Sequence, residues 1–304
     1  MLGFLRMALV YPYASPRRLR DLCDLCTTAF IYGHILDSSS KDDISEQAKQ
    51  QINCDITCRT TSWWVLQPFP KCILQQFLDE SNVTLTFNSS NPLARYMKDD
   101  EHPVYFEFNT PTDCEYTALP PILANITEQT FVEFKLEIPY LIRNNQNIML
   151  KPLLYQNSLL NVFATHVVYG LPANFATMNA DFDKNTYSIS YEKGLVEASF
   201  EPLLPNLVPF GSSGTENFSS FVDANVSPWL AFPFSSLSHN TKCASNKYNF
   251  TAPALIRPVK MVLNVTGNIL EAIPDGIYTN EGDQSLGAWQ IDVSYRITST
   301  SDCD

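Results

Sequence analysis

The stretch FVEFKLEIPYLIRNNQNIMLKPLLYQNSLLNVFATHVVYGLPANFATM, Phe131–Met178, contains three runs in which apolar residues alternate with other residues. Alternation with a period of two is typical of β-strands that bury one face. The runs end at the tetrapeptide YGLP, Tyr169–Pro172. Because glycine tolerates positive φ and proline fixes φ and lacks an N–H, this tetrapeptide is typical of a tight turn. The stretch therefore predicts three strands and a turn, around which we expect the rest of the chain to build.

The first run carries charged residues on one face, where Glu133, Lys135 and Glu137 alternate with apolar residues. Two interpretations fit this alternation. The face is either solvated, or it lines a polar cavity in which one carboxyl group has a raised pKa and acts as a general acid or base. For Lys135, and for Lys151 in the second run, we expect side chains exposed on a polar strand face, as most lysines are.

Short strands dominate the remaining sequence. A helix is predicted at Lys71–Leu78, because Pro70 suits a first helical position and apolar residues follow at helical spacing. Pro68 and Pro70 should end the preceding strand, because neither can donate a ladder hydrogen bond. Residues 203–256 predict long loops with one strand. Strands are predicted at Arg59–Gln67, Asn82–Phe87, Pro103–Phe108, Thr186–Tyr191, Leu195–Phe200, Val259–Val265 and Leu286–Ile297. This pattern predicts a mainly β protein, an antiparallel sheet closed into a barrel or cone with a few short helices.

Composition limits the classes of partner. The chain has 304 residues, 45% of them hydrophobic, and a net charge of -12. This acidity argues against nucleic acid or an anionic membrane surface as a main partner. No run approaches the roughly 18 apolar residues of a spanning helix, so no membrane span is expected. We expect residues 1–58 to form an N-terminal leader or arm and residues 59–304 to form the β-barrel domain.

Eight cysteines allow four disulfides without fixing their pairing. Cys23 and Cys26 form one C-x-x-C, but no second pair or histidine pair completes a zinc site, so we expect no metal and no cofactor.

Seven N-x-S/T sequons, together with the even cysteine number, favour a secreted or lumenal glycoprotein. The alternative is a cytoplasmic protein with incidental sequons, because Leu22–Leu36 makes a poor signal-peptide core. The predicted glycosylation sites are Asn82, Asn88, Asn125, Asn217, Asn225, Asn249 and Asn264.

The central stretch resembles the acetoacetate decarboxylase family. Glu133, five residues before Ile138-Pro139, matches the family's active-site glutamate, and the spacing from Tyr155 to Pro172 fits without a gap. The resemblance implies a cone-shaped β-barrel around a small cavity, a second active-site glutamate at Glu107, and a homo-oligomer.

The resemblance fails at the chemistry. After Pro172 the family has its Schiff-base lysine and a second lysine, where this chain has Ala173 and Asn174. His166 stands where the family has an arginine, and Arg59 lies near a second family arginine. The resemblance therefore implies Glu107 and Glu133 as candidate catalytic residues, and it implies a ligand cavity formed by Arg59, His166, Tyr169, Ala173 and Asn174.

Three functional hypotheses follow from these features. The first is a protein that lacks the catalytic lysine and binds a small organic acid or apolar molecule in the barrel cavity. The second is a lyase, of decarboxylase or hydratase type, that acts on a β-keto or enone substrate through Glu107, Glu133 and His166. The third is a secreted structural glycoprotein.

Overall fold

Strands make up most of the structure, a computed structural model that describes residues 55–78, 92–116, 130–143, 146–226, 228–231, 242–250, 254–280, 286–298 and 301–302. These residues belong to one compact unit, Ile52–Asp304. Residues 1–54 and the predicted strand Asn82–Phe87 lie outside the described residues.

The described residues form sixteen strands, three α-helices and two short 3-10 helices. The strands are β1 (Ile56–Pro70), β2 (Glu101–Tyr116), β3 (Glu133–Arg143), β4 (Gln146–Gln156), β5 (Ala173–Phe175), β6 (Thr177–Asp181), β7 (Thr186–Tyr191), β8 (Gly194–Pro202), β9 (Val208–Pro209), β10 (Trp229–Ala231), β11 (Lys242–Ala244), β12 (Asn246–Asn249), β13 (Leu255–Thr266), β14 (Gly276–Asn280), β15 (Ala288–Ile297) and β16 (Ser301–Asp302). The helices are α1 (Lys71–Leu78), α2 (Leu159–Tyr169) and α3 (Ser219–Val226), with 3-10 turns at Pro92–Tyr96 and Glu216–Phe218.

All of these strands belong to one sheet, in which the order of neighbours is β16-β11-β10-β4-β3-β2-β1-β15-β13-β8-β7-β6. The central pairs from β4 through β13 are antiparallel. This architecture confirms the predicted mainly β class. The described part of the chain contains no helix with the length and apolar character that a membrane crossing requires.

Successive cross-strand rows of side chains lie on opposite faces of the sheet. One row joins Trp63, Phe108, Phe134 and Tyr155, which are direct register partners and lie in the largest apolar core. The next row joins Trp64, Glu107, Lys135 and Leu154 and must face the other way, because side chains alternate along each strand. The charged residues therefore share a face that the aromatic core does not fill.

The prediction that the first strand ends at the prolines is wrong for Pro68, because β1 continues through it, and is confirmed for Pro70, where β1 ends. The pairing of β1 with β15 stops at Val65, beyond which β1 has β2 as its remaining ladder partner. A proline without an N–H is tolerated where one neighbour is missing. The predicted helix Lys71–Leu78 is confirmed as α1.

The third alternating run forms a helix, α2, and not a strand. The Ser158 side chain caps its start by accepting from the Asn161 N–H at 3.3 Å, and Gly170 ends it with φ 62°. Val162 and Tyr169 are buried two turns apart, whereas Leu159 is exposed. The helix therefore packs one side against the sheet, and its caps explain its bounds.

The remaining elements follow the sequence more closely. The predicted hairpin is confirmed as β7 and β8, and β13 and β15 match the last two predicted strands. Residues 203–256 contain the short strands β9 to β12 and α3, where the sequence predicted long loops with one strand.

Candidate functional site

A cavity of about 60 Å³ lies on the charged face of β3 and β4, with α2 forming one wall. This volume can hold a few water molecules or a small organic molecule. Its charged lining residues are Glu133, Lys135 and Lys151. The remaining lining residues are Ile56, Cys58, Phe131, Leu154, Gln156, Asn161, Ala164, Thr165, Tyr169, Leu171, Trp229, Asn246, Tyr295 and Ile297.

Lys135 lies between two buried carboxylates. Its Nζ is 3.1 Å from Glu107 Oε2 and 3.0 Å from Glu133 Oε2, and its side chain is only 4% exposed. The prediction that Lys135 is solvent-exposed is therefore wrong, because the second face of β3 is covered. Burial lowers the pKa of Lys135, but the attraction of Glu107 and Glu133 outweighs it and leaves the pKa well above its usual value. Lys135 is therefore an ammonium group at neutral pH.

Lys151 is the second buried amine, and the prediction that it is exposed is also wrong, because its side chain is 2% exposed. It forms an ion pair with Glu137 Oε1, and its Nζ lies 5.0 Å from the centre of the Trp229 ring. Glu137 is fully buried, and its burial raises the pKa of its carboxyl group while Lys151 opposes that rise. Within the described residues, Glu137 Oε2 has no hydrogen-bond partner.

Neutral side chains hold the two carboxylates beside Lys135. The Tyr248 hydroxyl donates to Glu107 Oε1 at 3.1 Å, and Gln156 Nε2 donates to Glu133 Oε1 at 2.8 Å. These hydrogen bonds fix the rotamers of both glutamates. The interpretation of this face as solvated is therefore wrong.

Ala173 lies in the same cross-strand row as the ion pairs. It is the register partner of Leu154, which in turn is the partner of Lys135. Because strands in a sheet are about 4.8 Å apart, the Cα atoms of Ala173 and Lys135 are roughly 10 Å apart. Ala173 is buried in an apolar cluster with Leu154 and Leu171 and, contrary to the prediction, is not among the residues that line the cavity. This cross-strand row therefore contains one amine, that of Lys135. It lies on β3, two strands away from Ala173 on β5.

Some of the other predicted site residues lie at the cavity and others do not. Tyr169 lines the cavity, and Glu107 lies directly behind Lys135. Asn174 pairs with Tyr155 and so lies on the opposite face from Ala173.

Arg59 and His166 are not among the residues that line the cavity. Arg59 has a side chain 49% exposed and binds Asp292 at 2.8 Å. His166 Nε2 donates to the Ala173 carbonyl at 2.8 Å, and burial lowers its pKa, so its ring is neutral and engaged.

Sequence reasoning missed the residues that close the cavity from distant parts of the chain. Trp229 comes from β10 and Asn246 from β12, and Asn246 Oδ1 accepts from Trp229 Nε1 at 3.1 Å. Both lie in the segment predicted to be long loops. No local motif marks them, because their role depends on how β10 and β12 pack beside β4 and β15.

A disulfide borders the cavity. Cys58, which lines it, is bonded to Cys114 on the neighbouring strand β2. Cys243 is also disulfide-bonded, and Cys72 is a free, exposed thiol.

Comparisons with known proteins show similarity of fold at very low sequence identity. No protein-family model matches the sequence, and no curated protein matches it. A solved acetoacetate decarboxylase superposes with a TM-score of 0.51 and 10% identity, over 88% of this chain and 95% of that one. An acetoacetate decarboxylase-like enzyme from Sphingomonas wittichii RW1 superposes with a TM-score of 0.50 and 8% identity, over 84% of this chain and 95% of that one. The chain therefore has the acetoacetate decarboxylase-like fold.

Proposed function

We propose that this protein binds a small molecule, an organic acid or an apolar compound, in the cavity beside Lys135 and Lys151, and that it does not form a Schiff base with its ligand. The observation that carries the proposal is the position of Lys135 Nζ, within 3.1 Å of two buried carboxylates. The ligand would occupy the cavity. The ion pairs of Lys135 are the reason why its amine would not attack a ligand carbonyl.

A Schiff base forms only when a neutral amine attacks a carbonyl carbon. The two carboxylates hold Lys135 in its charged form, and Ala173 carries no amine at all. Breaking a buried ion pair by neutralising one partner leaves the other charge uncompensated, which costs about 3–5 kcal/mol. The amines of the cavity therefore act as hydrogen-bond donors rather than as nucleophiles.

The cavity volume sets the size of the ligand and the affinity to expect. At about 60 Å³ it suits a molecule of only a few heavy atoms. The best small ligands gain about 1.5 kcal/mol per heavy atom, so a ligand of about four heavy atoms gains at most about 6 kcal/mol. This corresponds to a Kd no lower than about 40 µM, so binding must be measured at high ligand concentration.

Reductive trapping tests the proposal. The protein is incubated with acetoacetate and borohydride at neutral pH, and its intact mass is measured. We expect no covalent adduct, because neither Lys135 nor Lys151 is a free amine. An adduct that peptide mapping places on either lysine, and that Lys135→Met or Lys151→Met removes, would overturn the proposal.

A lyase that uses acid–base chemistry is the second candidate. It is favoured by one observation, the ammonium of Lys135 and the carboxylate of Glu133 lying 3.0 Å apart at the cavity wall. These groups could donate and accept a proton on a β-keto or enone substrate. Release of carbon dioxide from a β-keto acid that Glu133→Gln and Glu107→Gln abolish, and that Glu197→Gln on the exposed surface preserves, would support this candidate.

The disulfides support a secreted or lumenal location for the protein. Cys58–Cys114 and the disulfide of Cys243 favour an oxidising compartment. Among the predicted glycosylation sites, Asn217 and Asn249 are exposed, as glycan attachment requires. Peptide-N-glycosidase treatment of the protein expressed in a secretory host should reduce its mass; an unchanged mass would argue against this location.

A further inference from the structure

The geometry points to an uncharged ligand for this cavity, a short ketone, aldehyde or amide whose oxygen accepts a hydrogen bond from Lys151, in preference to a carboxylate. This inference rests on the proposed binding of a small molecule and assigns that molecule to the neutral carbonyl compounds rather than to the organic acids. It depends on three properties of the cavity: its unused donors, its charge balance and its apolar wall.

The first property is an excess of donors at Lys151. An ammonium group has three N–H bonds, and within the described residues the one hydrogen-bond acceptor of Lys151 is Glu137. Lys151 lines the cavity, whereas Glu137 does not. Two other polar residues of the wall are already paired, since Gln156 binds Glu133 and Asn246 binds Trp229. Lys151 therefore offers N–H donors to the cavity, and a ligand that carries an acceptor can use them.

The second property is the charge of the surroundings. The buried cluster contains two lysines and three glutamates, Lys135, Lys151, Glu107, Glu133 and Glu137, which leaves a net charge of -1 when all five are ionised. If Glu137 takes up a proton, the cluster becomes neutral. In neither state is there an excess positive charge to offset the desolvation of a buried carboxylate. A carbonyl oxygen accepts the same hydrogen bond without adding charge.

The third property is an apolar wall beside the ammonium. Leu154 and Leu171 line the cavity, and the Trp229 ring lies against Lys151. A short alkyl group gains burial there, whereas a second charged oxygen would lose its hydration against apolar side chains. The wall therefore matches a molecule with one acceptor and one apolar end.

Three ligands with the same number of heavy atoms separate these possibilities: acetone, acetamide and acetate. Their affinities for the full chain are measured by ligand-observed NMR at neutral pH. We expect acetone and acetamide to bind at least about 10-fold more tightly than acetate. Equal or tighter binding of acetate would overturn this inference and leave the proposed function intact. Absence of binding by all three would instead overturn the proposed function.

Two variants test the roles of the donor and of the charge. Because Lys151→Met alone strands a buried carboxylate, the double variant Lys151→Met/Glu137→Gln is used, with Lys247→Met on the exposed surface as the control. We expect the double variant to lose acetone binding at least about 10-fold and the control to keep it. Glu133→Gln removes one negative charge and should raise the affinity for acetate relative to acetone. Retained acetone binding in the double variant would contradict the role of Lys151 as the donor. An unchanged ratio of acetone to acetate affinity in Glu133→Gln would contradict the role of the charge.

Discussion

Glu107 and Lys135 are direct register partners on neighbouring antiparallel strands, and their side chains meet at 3.1 Å in the interior. Glu133, on the same face of β3, approaches the same amine at 3.0 Å. The sheet therefore holds an amine between two carboxylates even though position 173 is alanine. This arrangement keeps the amine charged, and it is the basis of the proposed binding function.

Removing Lys135 should destabilise the protein strongly. Lys135→Met leaves Glu107 and Glu133 as uncompensated buried charges, so we expect a loss of about 3–5 kcal/mol in the free energy of unfolding, measured by denaturant titration. Adding Glu107→Gln should recover part of that loss. Lys184→Met, which breaks an exposed ion pair with Asp181, should have no measurable effect. Equal stability of Lys135→Met and Lys184→Met would show that the buried pairs do not form.

A lysine at position 173 should be reactive where Lys135 is not. Ala173 lies among apolar residues such as Leu154 and Val162, and such surroundings lower a lysine pKa. We expect Ala173→Lys to be trapped by acetoacetate and borohydride, at a cost in stability of about 1–3 kcal/mol from overpacking. Ala173→Met controls for side-chain size. A folded Ala173→Lys variant that forms no adduct would mean that a lysine side chain from this position does not reach the cavity.

Loss of the Cys58–Cys114 disulfide should reduce stability, because the bond closes a loop with a sequence separation of 56. Restricting the unfolded chain in this way contributes about 2–4 kcal/mol. The variant Cys58→Ala/Cys114→Ala should show that decrease in chemical unfolding. Cys72→Ala removes a free, exposed thiol and should leave the unfolding midpoint unchanged. A double variant as stable as Cys72→Ala would contradict the prediction.

The buried histidine on β2 should make stability depend on pH. Burial lowers the pKa of His102 to about 4, and its Nε2 donates to the Pro139 carbonyl at 2.8 Å. The unfolded chain has the ordinary pKa of about 6.5, so it binds a proton more readily than the folded chain between these values. Stability should therefore fall as pH drops from about 6.5 to 4, by up to roughly 3 kcal/mol from this residue.

Denaturant unfolding of the wild-type protein and of His102→Gln across this pH range measures the contribution. The variant should have a shallower dependence on pH. If the free energy of unfolding had the same pH dependence in both proteins, the pKa of His102 would be the same in the folded and unfolded states.

The sequence predicted the strands that carry the site, but it did not predict what covers them. Alternation placed Glu133 and Lys135 on one face of β3, as the structure shows. It could not show that this face is buried, because Trp229 and Asn246, which cover it, come from far along the chain. Nor could it align Glu107 with Lys135, because their register depends on the connection between β2 and β3.

The helix α2 shows a second limit of sequence patterns. Its residues include valine, threonine and phenylalanine, which favour strands, and they alternate well enough to indicate one. The capping serine Ser158 and the terminal Gly170 were the signals for a helix. The position of His166 follows from this difference, because on a helix it reaches the Ala173 carbonyl and not the carboxylates.

The protonation state of Lys135 tests the central claim most directly. Nitrogen NMR of lysine-labelled protein, with the Lys135 signal assigned from Lys135→Arg, follows the side-chain amine during a pH titration. We expect an ammonium signal that persists beyond the pH at which an exposed lysine loses its proton, because Glu107 and Glu133 raise the pKa of Lys135. A Lys135 amine that loses its proton near neutral pH would contradict the account, because it would be free to attack a carbonyl.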